Sequence, residues 1–267
     1  ILPDSLTYLG ENAFRESSID GGLSIGSGLQ IISSGAFMST NVKFDVKFPD
    51  NITEIGPYAF ADSDIYGVKL NQNITEIKPY CFSGCQYLHK DVDFEANPLV
   101  LPSGLTRVGE ASFKDTYCTN ITWPSGLLYI DDMAFENSFL ISPRLPESVL
   151  EIGSGAFRNI RNAGDLLESD FLSSIEIPSG IQSIYSEAFA IGEKVSSVQD
   201  AFINSPPTVF KGENAFSGFL GCLYVSPIYY QDYLDLSVNG LFQGIQVCLG
   251  TKYSIVFHFM TLYSIVN

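Results

Sequence analysis

One short repeat recurs along the chain and leaves few folds open to it. An Ala-Phe dipeptide, replaced twice by Cys-Phe or Ser-Phe, returns at phenylalanine spacings of 23, 23, 22, 31, 22, 22, 32 and 27 residues. A period in this range is typical of repeat architectures, in which one unit cannot bury its apolar face alone and must stack on its neighbours. The recurring residues are Phe14, Phe37, Phe60, Phe82, Phe113, Phe135, Phe157, Phe189 and Phe216.

The residues before each phenylalanine keep the same register. In six units a proline lies 11 residues before the phenylalanine, and aliphatic residues follow that place by three and six positions. The run before the proline alternates as a strand does, and the proline ends it because it has no N–H to donate. The sequence therefore predicts a repeat solenoid: a right-handed coil stack with one parallel β-sheet, about one helical turn at each Ala-Phe segment, and a buried phenylalanine ladder. The prolines are Pro3, Pro49, Pro102, Pro124, Pro146 and Pro178.

The register also predicts the domain organisation. We expect a solenoid of about nine units over residues 1–222, with insertions near 86–97 and 161–172, and a C-terminal cap over 223–250. In this cap, Leu223-Tyr224-Val225 forms a strand, and a helix from Ile228 to Leu236 covers the last coil with Tyr233. The apolar tail, residues 251–267, is shorter than the roughly 20 apolar residues of a membrane span. Final β structure or a loose tail is the favoured interpretation, with a membrane anchor as the alternative.

The repeat resembles the BspA-like branch of leucine-rich repeats, which occurs in surface antigens of mucosal bacteria and some protists. Residues 175–184 (IEIPSGIQSI) followed by 187–189 (EAF) carry the resemblance most clearly. The resemblance implies a secreted or cell-surface protein, of adhesin type, that binds other proteins. It implies no catalytic residues.

Charge and composition narrow the range of partners. The net charge is -16, from 14 basic and 30 acidic residues. Nucleic acids and anionic membrane surfaces need clustered Lys and Arg, so neither is expected as a partner. Only two histidines occur, and no HExxH or other paired-ligand spacing is present,. The sequence predicts no enzyme, no cofactor and no metal site.

One outward-facing strand position, two before the proline place, holds three of the basic residues. We call this position the outward column. Small residues flank most of it, which leaves its long side chains accessible, and solenoids use such faces to bind ligands. The prediction is a concave strip that binds a protein or a glycan through Lys47, Lys69, Thr122, Arg144 and Glu176; the alternative is an ordinary polar strand face. The outward column comprises Ser24, Lys47, Lys69, Val100, Thr122, Arg144 and Glu176.

Two kinds of covalent modification are open. Cys222 and Cys248 flank the capping helix and are a possible disulfide, with two unrelated buried thiols as the alternative. Three Asn-Ile-Thr sequons match the N-glycosylation pattern, although repeats also copy motifs for structural reasons. A glycan on Asn120, in the third sequon, would obstruct the neighbouring concave strip. The sequons begin at Asn51, Asn73 and Asn120.

Three functions remain open on these observations. The first is a non-catalytic protein–protein or protein–glycan interaction module of a secreted or cell-surface adhesin. The alternatives are a structural spacer and a regulatory repeat domain of a larger multidomain protein. The chain begins inside a repeat, at Ile1-Leu2-Pro3, so we expect it to be a piece of a longer protein.

Overall fold

The computed structural model is a stack of parallel coils, and every strand pair that it contains is parallel. Buried aliphatic and aromatic side chains from successive coils form one continuous core. The structure describes residues 1–19, 22–41, 43, 45–89, 98–140, 143–160, 174–192, 200–219, 221–239, 242 and 245–250.

The strands of the described ranges are two to four residues long. Within those ranges, one 3-10 turn, Pro207–Val209, and one helix, α1 (Tyr230–Asn239), accompany them. In chain order the strands are β1 (Ile31–Ile32), β2 (Asp45–Lys47), β3 (Glu54–Ile55), β4 (Gly67–Lys69), β5 (Glu76–Ile77), β6 (Leu99–Val100), β7 (Arg107–Val108), β8 (Ile121–Thr122), β9 (Tyr129–Ile130), β10 (Glu151–Ile152), β11 (Ser174–Ile177), β12 (Ser183–Ile184), β13 (Asp200–Ile203), β14 (Cys222–Val225) and β15 (Gln246–Leu249).

The strands form two parallel ladders, where the sequence predicted a single sheet. One ladder contains the predicted strands before the proline place: β2–β4, β6–β8 and β11–β13–β14–β15. The other contains β1–β3 and β5–β7–β9–β10–β12, which follow the proline and carry the second aliphatic column. In each strand of that ladder a buried aliphatic residue follows a more exposed one, as Ile55 follows Glu54, so each pair alternates as a short strand does,.

The predicted phenylalanine ladder is confirmed. Neighbouring rings from Phe14 to Phe216 stack nearly parallel, with centroids 5.1 to 5.8 Å apart and interplanar angles of at most 16°. All of these rings are fully buried except Phe14, in the first coil, which is partly exposed. The ladder runs the length of the core and fixes the spacing of the coils.

The Ala-Phe segments form hydrogen-bonded turns where about one helical turn was expected. In the third coil, Tyr58 and Asp62 flank the segment, both with positive φ (57° and 56°). Alternate N–H groups then point along the stack: Phe60 donates to the carbonyl of Cys81 at 2.9 Å, whereas Ala61 closes a turn to Tyr58 at 3.1 Å. A helix would keep these bonds within one coil, so the turns add a third side that joins the coils.

Glycines after the second ladder allow close approach between coils. A Cβ on Gly56, Gly109 or Gly153 would lie 2.4 to 2.8 Å from backbone atoms of the preceding coil. Gly109 also donates its N–H to the carbonyl of Ile77 in that coil at 2.9 Å. The sequence assigned these glycines to a tight bend, but their φ values are not in the left-handed region.

The first ladder continues through β13, β14 and β15, and α1 lies between the last two strands in the chain. The strand predicted at residues 223–225 lies within β14, and the helix begins at Tyr230, two residues after the expected start. Tyr233 is fully buried, and its hydroxyl donates to the carbonyl of Ser205 at 3.0 Å. Because β14 crosses the boundary expected between solenoid and cap, the division into these domains stays a prediction.

Some expectations concern residues outside the described ranges. These are most of the first insertion, the second insertion and the apolar tail. For the tail, final β structure or a loose tail stays the prediction, with a membrane anchor as the alternative. Among the helices of the described ranges, none is long and apolar enough to cross a membrane.

Candidate functional site

The outward column lies along the first ladder, and strand register places its members side by side. Lys47 is paired with Lys69, and Arg144 is paired with Glu176. Thr122, on β8, occupies the same position in a coil between these two pairs. The strip residues Lys47, Lys69, Thr122 and Arg144 are exposed and Glu176 is half-buried.

Three exposed lysines at this end of the face have no ion-pair partner among the described residues. Lys47 and Lys69 occupy adjacent strands, at a spacing of roughly 4.8 Å,. Lys43 is also exposed, and it lies two residues before the start of β2. The other Lys and Arg side chains of the described ranges are paired with carboxylates, except Lys211, which donates to the carbonyl of Thr208. Within those ranges, unpaired positive charge is therefore concentrated around β2 and β4.

Arg144, the fourth basic residue of this face, forms a long and exposed ion pair. The guanidinium Nε of Arg144 lies 3.9 Å from Oε1 of Glu176, and the Arg144 side chain is 76% exposed. An ion pair this exposed contributes little to stability. The Arg144 side chain therefore remains accessible to a ligand.

The column continues beyond the residues that the sequence predicted. Glu176 is paired with Phe202, and Phe202 with Tyr224. The two rings stack with centroids 5.0 Å apart and an interplanar angle of 12°. Burial raises the pKa of Tyr224, and the carboxylate of Asp200 raises it further.

A groove opens along this extension. Its volume is about 330 Å³, and its walls combine the charged pair, the stacked rings and the exposed side chain of Asn204. We call it the aromatic groove. Its principal lining residues are Arg144, Glu176, Phe202, Asn204, Tyr224 and Gly250.

Sequence reasoning missed the two aromatic members because the repeat register slips there. Asn204 stands at the proline place of that coil, two residues after Phe202, but Phe216 follows it by 12 residues and not by 11. The alternation of buried Ala201 and Ile203 with Phe202 was the available signal.

The disulfide candidates lie at the end of the same face. Cys222 and Cys248 are bonded, with their Cα atoms 5.9 Å apart, within the range that disulfides require,. They lie on adjacent strands, β14 and β15, so the bond ties the last strand to the sheet. The backbone N–H of Cys222 donates to Oδ1 of Asp200 at 2.8 Å.

Two of the sequon asparagines take part in bonds between coils. The side-chain amide of Asn51 donates to the carbonyl of Leu29, and that of Asn73 donates to the carbonyl of Asp50 at 2.6 Å. These amide nitrogens are the atoms that N-glycosylation would modify. Asn120, at the edge of the outward column, is half-buried.

The remaining reactive side chains are core residues. Cys81, Cys85 and Cys118 are free and fully buried, and burial raises the pKa of both Cys85 and Cys118 to about 12. His89 is buried, and its Nε2 accepts a bond from the backbone N–H of Val68 at 3.3 Å. In the described part of the chain no three His, Cys, Asp or Glu side chains are grouped as a metal site would require.

Parallel coils that share an aliphatic core and a ring ladder define a leucine-rich-repeat type of solenoid. The sequence matches the family described as BspA type leucine-rich repeat region, in six copies that cover residues 1–89 and 93–219. The chain therefore belongs to the BspA-type leucine-rich repeat family. Repeats of this kind are generally non-catalytic binding modules.

Solved structures with the same fold include the pneumococcal vaccine antigen PcpA. The chain is 20% identical to it, with a TM-score of 0.59, over 94% of this chain and 67% of PcpA. A leucine-rich repeat protein from Bacteroides ovatus is 17% identical, with a TM-score of 0.42, over 94% of this chain and 83% of that one. A leucine-rich cell surface protein from Faecalibacterium prausnitzii is 15% identical, with a TM-score of 0.40, over 88% of each chain. No curated protein matches the chain significantly.

Proposed function

We propose that the chain is a non-catalytic interaction module of a secreted or cell-surface adhesin, and that it binds an acidic protein through the outward column. The observation that carries the proposal is the concentration of unpaired cations at Lys43, Lys47 and Lys69. Like charges on adjacent strands repel one another. A carboxylate-bearing partner relieves this repulsion and is attracted to this part of the surface.

The disulfide supports an extracellular location. Disulfides persist in oxidising compartments and are rare in the cytosol of ordinary cells. The Cys222–Cys248 bond closes on the sheet face and not in the core, where the three other cysteines remain free. Family membership supports the same assignment, since PcpA, which has the same fold, is a pneumococcal vaccine antigen.

The test compares two variants with the same charge change. K47E/K69E reverses the unpaired cations, whereas R15E/K211E reverses two exposed cations outside the column. Binding is measured by surface plasmon resonance against a panel of purified acidic extracellular proteins, at several salt concentrations. We expect K47E/K69E to weaken binding roughly tenfold or more and to flatten its salt dependence, with R15E/K211E close to the wild type.

Three outcomes would contradict this assignment. Equal binding by both variants would move the site away from the outward column. Absence of binding to every panel member, with both variants folded by circular dichroism, would favour a structural spacer. Preferential binding of heparin over the acidic proteins would replace the protein partner by a sulfated glycan.

A further inference from the structure

The aromatic groove presents an apolar platform on the outer face of the sheet. Phe202 and Tyr224 are half-buried and stack side by side on β13 and β14. The residues that alternate with them, such as Ile203 and Leu223, are buried in the core, so the two rings add nothing to the phenylalanine ladder inside,. Aromatic side chains are enriched at protein–protein interfaces and often dominate the binding energy. The two rings therefore offer a partner an apolar anchor point.

The charges of the groove disfavour an acidic group as its occupant. Arg144 brings one positive charge, and Glu147 and Glu176 bring two negative charges, so these lining residues sum to -1. Both carboxylates are engaged: Oε2 of Glu147 accepts bonds from the N–H and the hydroxyl of Ser179 at 3.1 and 3.0 Å, and Glu176 has interactions besides the long pair with Arg144. A carboxylate of a partner meets net repulsion here, whereas a neutral apolar side chain does not.

The groove and the unpaired lysines lie on the same column, at a fixed separation. Four members of the outward column stand between Lys69 and Phe202, so five coil steps of roughly 4.8 Å place them roughly 24 Å apart,. The first two of these four, Val100 and Thr122, are exposed and uncharged. A standard interface covers about 800 Å² on each partner, or about 28 Å on a side. One partner is therefore large enough to contact both ends.

A partner with two kinds of contact group fits this arrangement. We propose that the acidic partner is bipartite: its carboxylates bind at Lys47 and Lys69, and a tryptophan or another large apolar side chain, roughly 24 Å away, packs on Phe202 and Tyr224. The inference rests on the proposed function, since it assigns a second contact to the same partner. The groove volume of about 330 Å³ lies at the lower end of ligand pockets and suits one large side chain,. An extended peptide covers the distance in about seven residues of about 3.4 Å each.

Synthetic peptides of one composition test the spacing. Each carries four glutamates, one tryptophan and the same glycines and serines, but the tryptophan follows the glutamates by either two or seven residues. A third peptide keeps the longer spacing and has serine in place of tryptophan. Binding of the fluorescein-labelled peptides is measured by fluorescence anisotropy. We expect the peptide with the longer spacing and tryptophan to bind roughly tenfold tighter than the other two, a difference of about 1.4 kcal/mol, because it alone engages both sites at once.

Variants of the protein locate the two contacts. F202T keeps a residue suited to a strand but removes half of the platform, so it should bind all three peptides alike, at the level of the serine peptide. T122V is the matched control within the outward column, and it should retain the tenfold preference. K47E/K69E should lose all three peptides. Circular dichroism checks that each variant is folded, and the serine peptide tests the same apolar contact on the unaltered protein.

The outcomes separate this inference from the proposed function. Equal affinity of the wild type for all three peptides, lost in K47E/K69E, would overturn the bipartite partner and leave the lysine surface in place. A tryptophan preference that persists in K47E/K69E would place binding in the groove alone, which contradicts both proposals. Absence of binding by every peptide would also overturn the inference, while the panel of acidic proteins tests the lysine surface independently.

Discussion

Removal of one ring from the middle of the phenylalanine ladder tests the fold most directly. Phe113 is fully buried and stacks on Phe82 at 5.5 Å and on Phe135 at 5.3 Å between ring centroids. Phe113→Ala leaves a cavity in a close-packed core, which typically costs about 3–5 kcal/mol. The two ring stacks account for about 0.5–1.5 kcal/mol each of that sum.

Phe14→Ala is the matched control. It occupies the same column, but it is partly exposed and has one ring neighbour, Phe37 at 5.4 Å. We therefore expect its cost to be less than half that of Phe113→Ala. Because both variants make the same chemical change, the difference between their costs in unfolding free energy measures the effect of the position in the ladder.

The assay is urea unfolding followed by circular dichroism and by the fluorescence of the single tryptophan, Trp123. Trp123 contacts the ladder edge-on at Phe135, 5.5 Å between centroids, so it reports on the same coils. Coincident transitions allow a two-state free energy of unfolding. A cost for Phe113→Ala below about 1 kcal/mol, or equal to that of Phe14→Ala, would refute the buried ladder.

Three further predictions concern single bonds and thiols. Asn73→Asp replaces the donor that faces the carbonyl of Asp50 and should cost about 0.5–1.5 kcal/mol in urea unfolding, since this bond is exposed,, whereas Thr75→Ala removes the same sequon and should be near neutral. Reduction of the Cys222–Cys248 disulfide, which spans 26 residues, should cost about 3–4 kcal/mol on loop entropy,, and an unchanged unfolding midpoint after reduction would contradict that. With a pKa of about 12, the buried thiol of Cys85 is roughly 10⁻⁴ ionised at pH 8,, so iodoacetamide should label it only after denaturation.

The repeat register made the core and the outward column predictable. Because each coil copies the last, one alternating segment such as residues 175–177 defines which side of every coil is buried. The buried ladder and the exposed positions of Lys47 and Lys69 follow from that register alone. The same reasoning extended the outward column only as far as Glu176, because the spacing between the proline place and the phenylalanine changes in the later coil.

Other features depend on backbone geometry that residue types encode weakly. The turns at the Ala-Phe segments need positive φ, yet Tyr58 and Met133 occupy such positions in place of glycine or asparagine,. Hydrogen bonds between coils offset the strain of positive φ at these residues. The turns therefore could not be predicted from the residues of a single coil. Similarly, one additional residue between Asn204 and Phe216 concealed Phe202, and with it the aromatic groove.

Lysine footprinting tests the central claim that partners bind on the outward column. The protein is acetylated with an N-hydroxysuccinimide ester, alone and saturated with the acidic protein it binds, and each lysine is quantified by mass spectrometry. The account predicts at least fivefold slower modification of Lys43, Lys47 and Lys69 in the complex, which corresponds to about 1 kcal/mol or more. Lys78 and Lys211, which lie outside the column, should be modified at unchanged rates. Protection of those two lysines with continued labelling of Lys47 and Lys69 would contradict the account.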